Sequence, residues 1–210
     1  MKTILYIIFL TAFSFIWSDL FAQEADSLDL LSDDSVQIEQ ELLPSKMLLT
    51  KRLLWGKRGF MRYTGIMPLN AENREKEMKI RRMMLISHQA IGSLTMLSMI
   101  GTGITGQMLY NGKINKFTHH AFAEATNIGY SIVALEALFS PPALISKRNK
   151  KWSNVDWHKM FAIIHFTGMV TTNVLSEQAE EGGVKWKNAH RASAIITGVA
   201  FTAAIVSIKF

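Results

Sequence analysis

Residues 83–110 run for 28 positions without one Asp, Glu, Lys or Arg. As a helix rising about 1.5 Å per residue, this stretch is about 42 Å long, enough to cross the hydrocarbon core of a bilayer even when tilted. Further apolar blocks follow at 117–139, 155–175 and 190–208, and Pro141 and Pro142 close the first of these three. Trp152, Trp157 and Trp186 stand at block ends, where indole favours the headgroup level. The links between blocks are short, so neighbouring helices must run antiparallel. The expected fold class is all-α: an integral membrane four-helix bundle occupying residues 83–210, with helices near 83–110, 117–139, 155–176 and 188–208.

The chain ahead of the bundle divides into three parts. Residues 1–22 open with Lys2, continue as an apolar run and end at Ala22, which reads as a signal peptide although Leu20 fits A-x-A poorly; a retained anchor helix is the alternative. Residues 23–41 are acidic, poor in aromatics and expected to form a flexible leader. Residues 42–82 interleave Lys46, Lys51, Arg52, Lys57, Arg58 and Arg62 with Leu53, Leu54, Trp55, Phe60 and Met61. That mixture suits either a segment lying in the membrane interface or a solvated basic linker. With no cysteine in the chain, disulfides, thiolate metal sites and covalent haem attachment are excluded. The net charge of +6 sits beside apolar segments, which points to lipid headgroups and away from nucleic acid.

All six histidines, His88, His119, His120, His158, His165 and His190, fall in or at the edge of the four apolar blocks. A lone histidine in a membrane helix more often bonds a neighbouring helix than a metal, but polar side chains at membrane depth are costly and tend to mark function. Antiparallel topology sorts them. His88 and His158 or His165 lie near the starts of helices one and three, toward one side; His119, His120 and His190 lie near the starts of helices two and four, toward the other. Paired imidazoles on facing helices are what bis-histidine ligation of haem requires, with nitrogen separated from nitrogen by about 4 Å across an iron held by bonds of about 2 Å. The glycines Gly92, Gly101, Gly103, Gly106, Gly129, Gly168 and Gly198 serve close helix packing or leave room for a flat macrocycle; glycine alone does not separate the two. Glu124, four residues after His120, could orient that imidazole. Lys159, Lys187 and Arg191 could meet haem propionates.

This pattern resembles the cytochrome b561 family of transmembrane electron carriers: His88 with the glycines after it, W-S-N-V-D-W-H at 152–158 followed by Asn173, and W-K-N-A-H-R at 186–191. The resemblance covers about residues 83–208 and implies two b-type haems, helix one pairing with three and two with four. His88 with His158 or His165 would hold one haem, and His120 with His190 the other, His119 replacing His120 if the second helix is rotated. It has no counterpart for residues 42–82, and no ascorbate-binding signature is recognisable. The expected function is transmembrane electron transfer between a donor on one face and an acceptor on the other; any oxidoreductase activity would belong to the haems. The expected location is a cell membrane, multi-pass, such as a bacterial inner membrane, and self-association as a homo-oligomer is open. A cofactor-free membrane scaffold or subunit is the main alternative, and a transporter using Glu124 and Glu136 is a third. Orientation is contested: Arg81, Arg82, Lys147, Arg148, Lys150 and Lys151 make the side where helix one begins cytoplasmic by the positive-inside rule, while a signal peptide puts that side outside.

Overall fold

The computed structural model describes residues 42–144 and 152–209. The expected signal segment, the acidic leader and the cations Lys147, Arg148, Lys150 and Lys151 lie outside the described residues. Among the described residues every regular element is a helix: α1 (Leu49–Trp55), α2 (Phe60–Tyr63), α3 (Ala71–Tyr110), α4 (Lys116–Phe139), α5 (Asn154–Glu181) and α6 (Gly183–Lys209). The all-α expectation holds, but the helices outrun the apolar blocks that announced them. Helix α3 starts at Ala71 because Asn70 Oδ1 accepts the Asn73 N–H at 2.8 Å, and the pairs Glu72–Lys76 and Glu75–Lys79 support its first turns. Two of the four long helices, α3 and α6, are long and apolar enough to cross a membrane by length and composition. The other two are diluted by Glu124, Asn127 and Glu136 in α4 and by Asp156, Lys159 and Asn173 in α5.

The chain forms two compact units. In the first, which holds described residues 42–86 and 135–144, the end of α4 leaves backbone carbonyls without helical partners. Thr50 donates to Leu138 O (2.8 Å), Trp55 Nε1 to Phe139 O (2.8 Å), Arg81 to Pro141 O (2.6 Å) and Arg74 to Pro142 O (3.1 Å). Cationic donors suit a helix C-terminus because the helix dipole is negative there. Beneath them Glu77, wholly buried, forms ion pairs with both Arg62 and Arg74, whose side chains are 6% and 3% exposed. These two arginines are interior groups, so neither an interfacial segment nor a solvated linker accounts for them. Lys57, Arg58, Phe60 and Tyr63 are exposed.

The second unit holds residues 87–134 and the described part of 148–210, and consists of two helical hairpins. Helix α3 stops in a Schellman motif: Gly112 has φ 69°, its N–H donates to Leu109 O (3.0 Å), and the Lys113 N–H donates to Met108 O (2.9 Å). Helix α5 opens on a capping box in which the Ser153 N–H donates to Asp156 Oδ2 at 2.8 Å. It turns into α6 through Gly182 and Gly183, the latter at φ 74°. The core is small: Tyr130, Met169 and Phe201, with Met96, Met99, Phe166 and Ile205 packed against them. Outside it lie exposed apolar side chains on all four helices, among them Leu94, Leu97, Ile132, Ile164, Ile196 and Val199.

Candidate functional site

Helices α3 and α5 bring His88 and His158 together with ring centroids 6.2 Å apart and planes at 76°; α4 and α6 bring His119 and His190 together at 6.5 Å and 86°. Two imidazoles on opposite sides of one metal ion, with bonds of about 2 Å and each ring centre about 1.1 Å beyond its nitrogen, have centroids about 6.2 Å apart. Both pairs lie near that spacing, as do the adjacent rings of His119 and His120 at 6.1 Å.

Hydrogen bonds to backbone carbonyls decide which ring nitrogen is basic. His88 Nδ1 donates to Val133 O (3.1 Å), His158 Nδ1 to Ala204 O (2.8 Å) and His190 Nδ1 to Thr172 O (3.0 Å). A carbonyl can only accept, so Nδ1 carries the proton in all three neutral rings, and Nε2 is the basic nitrogen a metal needs. His119 has Nδ1 3.4 Å from Thr105 Oγ1.

The remaining two histidines are engaged differently. His165 Nδ1 lies 2.7 Å from the Tyr130 hydroxyl, a group that can donate or accept and so does not fix the tautomer. His120 Nε2 lies 3.6 Å from Glu180 Oε1, with both side chains about half exposed. The geometry therefore joins His88 with His158 and His190 with His119. The carboxylate beside His120 is Glu180; Glu124 is exposed. Arg191 lies over the Tyr110 ring, 5.2 Å from its centroid, while Tyr110 donates to Asn188 (3.0 Å), tying the end of α3 to the start of α6.

These contacts obey an internal repeat of the sequence. Seventy residues separate His88 from His158 and Thr102 from Thr172 (158 − 88 and 172 − 102). Seventy-one separate His119 from His190, Thr126 from Thr197, Tyr130 from Phe201 and Val133 from Ala204. The segments after His119 and His190 share H-x-A-x-A-x-x-T, followed by Ile or Val, Gly or Ala, Tyr or Phe, and Ser or Thr. In each hairpin the first histidine reaches a carbonyl near the end of the second helix, and the second histidine reaches back to the first helix. The four histidines so related are the four that pair; His120 corresponds to Arg191, and His165 to Thr95.

The surroundings suit a flat group on these nitrogens. Gly92, one turn after His88, is buried, yet a Cβ there would meet no atom within 4 Å. A Cβ on Gly106 would come within 3.0 Å of His119 Cε1, so glycine is what lets that ring sit against α3. A bare metal ion held by protein alone takes at least three ligands in known zinc sites. Among the described residues no group of three or more His, Asp or Glu is placed to hold one. Each pair offers two imidazole nitrogens, the donor set that a macrocycle carrying its own four nitrogens would need. Compared with protein-family models, with curated proteins and with solved structures, the chain matches none.

Proposed function

We propose that the chain is a transmembrane electron carrier of the cytochrome b561-like kind, with α3 to α6 spanning the bilayer. His88 and His158 hold one haem b toward one face, and His119 and His190 hold a second toward the other. The observation that carries the reading is the matched pair of imidazole pairs, 6.2 and 6.5 Å between centroids and related by the internal repeat. Haem bound at each pair would supply reversible one-electron chemistry at its iron. The protein's own part would be to offer two imidazole nitrogens to each group, a set that favours electron transfer, and to keep His88, His158 and His190 in one tautomer through a backbone carbonyl. The pairs lie near opposite ends of the hairpins: His158 and Thr172, whose carbonyl holds His190, are fourteen residues apart on α5, about 21 Å of helix. That depth suits two leaflets of a hydrocarbon core about 30 Å thick. Spanning by all four helices is supported by the apolar side chains exposed on each of them beside a small core, an arrangement that water would penalise and lipid would solvate.

The test is transport. Protein purified with haem and placed in vesicles enclosing ferricyanide should pass electrons from external dithionite to the enclosed oxidant, while protein-free vesicles and the His119→Ala variant should not. Haem-loaded vesicles that leave the enclosed ferricyanide oxidised would refute transmembrane transfer.

A further inference from the structure

Within the second unit, at helix levels between the two histidine pairs, stands a cluster of aromatic rings. Tyr130 from α4, His165 and Phe166 from α5 and Phe201 from α6 meet there. His165 lies seven residues from His158 and seven from Thr172, about 10 Å of helix in either direction. Tyr130 stands three residues before Val133, which holds His88, and eleven after His119; Phe201 stands three before Ala204, which holds His158, and eleven after His190. The rings touch in sequence: Tyr130 to His165 at 5.6 Å with a hydrogen bond of 2.7 Å, His165 to Phe201 at 4.9 Å, and Tyr130 to Phe201 at 5.9 Å.

The repeat makes this cluster informative, because it is where the symmetry breaks. The counterparts of Tyr130 and His165 are Phe201 and Thr95, a ring without a polar atom and a threonine whose hydroxyl bonds its own helix at Ile91 O. Packing alone is met by that combination in one half of the bundle. In the other half the chain carries a buried phenol and a partly buried imidazole, polar groups that are costly there unless they satisfy each other.

We propose that Tyr130, His165 and Phe201 form an aromatic bridge that couples the two histidine pairs, shortening the saturated gap an electron must cross between the groups they bind. The proposal rests on the di-haem reading. The bridge residues stay neutral and unchanged in oxidation state; they provide orbital overlap, with the Tyr130–His165 hydrogen bond holding the two rings in contact.

The experiment compares full-length, haem-loaded wild type with Tyr130→Met, Phe201→Met and Tyr130→Phe, the methionines filling most of the space while removing the ring. Rapid photoreduction of one haem followed by optical monitoring reads the rate at which the electron equilibrates with the second. The methionine variants should retain two haems with unaltered reduced spectra and slow severalfold, and Tyr130→Phe should recover most of the rate. In haem-free protein, ultraviolet resonance Raman should show a hydrogen-bonded tyrosine that His165→Leu abolishes. Unchanged rates in both methionine variants, or loss of haem from both, would overturn the bridge, the second outcome making the cluster a packing element. Wild type that takes up no haem would overturn the di-haem reading itself, and the bridge with it.

Discussion

Glu77 offers a sharp test of how the first unit is held together. Its carboxylate is wholly buried and forms ion pairs with Arg62 and Arg74. Glu77→Ala would leave both guanidiniums interior without that counter-charge, and the remaining acceptors, Trp55 O and Met67 O for Arg62 and Pro142 O and Ala143 O for Arg74, are neutral. Removing one partner from a buried ion pair costs about 3–5 kcal/mol. Here one deletion strands two cations, so the upper end of that range is expected. If the unit opens and closes quickly relative to cleavage, its susceptibility to trypsin follows the open population, and such a loss raises cleavage within residues 42–82 by about three to four orders of magnitude. Glu77→Gln, which keeps the shape and an acceptor oxygen, should fall between Ala and wild type. Glu72→Gln, at an exposed pair with Lys76, should leave the rate unchanged. Cleavage of Glu77→Ala within about threefold of wild type would refute the reasoning, since that corresponds to only about 0.6 kcal/mol.

Other consequences are as direct. Gly106→Ala brings a methyl within 3.0 Å of His119 and should disturb the absorption of one haem only, whereas Gly103→Ala, with nothing within 4 Å, should leave both spectra unaltered. His120→Ala and His165→Leu should keep two haems per chain by pyridine haemochrome assay, while His119→Ala and His158→Ala each lose one. Ser153→Ala removes a capping hydroxyl beside Asp156 at the start of α5 and should lower the stability of the detergent-solubilised protein by about 1 kcal/mol in thermal or denaturant unfolding.

The long helices and the six histidines were legible because charge-free runs and their ends are written locally. What the sequence left open was which member of each doublet pairs. His119 and His120 are adjacent, and His158 and His165 share a helix face, with the family pattern favouring His158 and depth after Lys159 favouring His165. The signal that separates them was present: H-x-A-x-A-x-x-T recurs after His119 and His190, and His88 aligns with His158. It is easily missed because the spacing changes from 70 to 71 between the first and second helices of the hairpins. Residues 42–82 were opaque for a different reason. Arg62 and Arg74 are buried through Glu77 and through carbonyls at 142–143, near or beyond the end of α4, and no local pattern tells a cation bound for lipid headgroups from one bound for a distant carbonyl. The start of α3 at Ala71 was foreseeable from Asn70 and the Glu–Lys pairs, but the charge run drew attention to the membrane surface instead. The capping box of α5 was likewise readable in S-N-V-D at 153–156.

The central claim is that two independent histidine pairs each hold a haem, and haem stoichiometry in single and double variants tests it most directly. The full-length protein, expressed with ample haem and assayed by pyridine haemochrome and reduced-minus-oxidised spectra, should carry two haems per chain. His88→Ala and His190→Ala should each carry one, with complementary spectra, because losing one axial nitrogen releases a non-covalent haem while the other pair shares no ligand with it. The double variant should carry almost none. A wild type that binds no haem, or His88→Ala and His190→Ala proteins whose haem content and spectra match wild type, would contradict the account and leave the histidines as helix-packing groups in a cofactor-free scaffold.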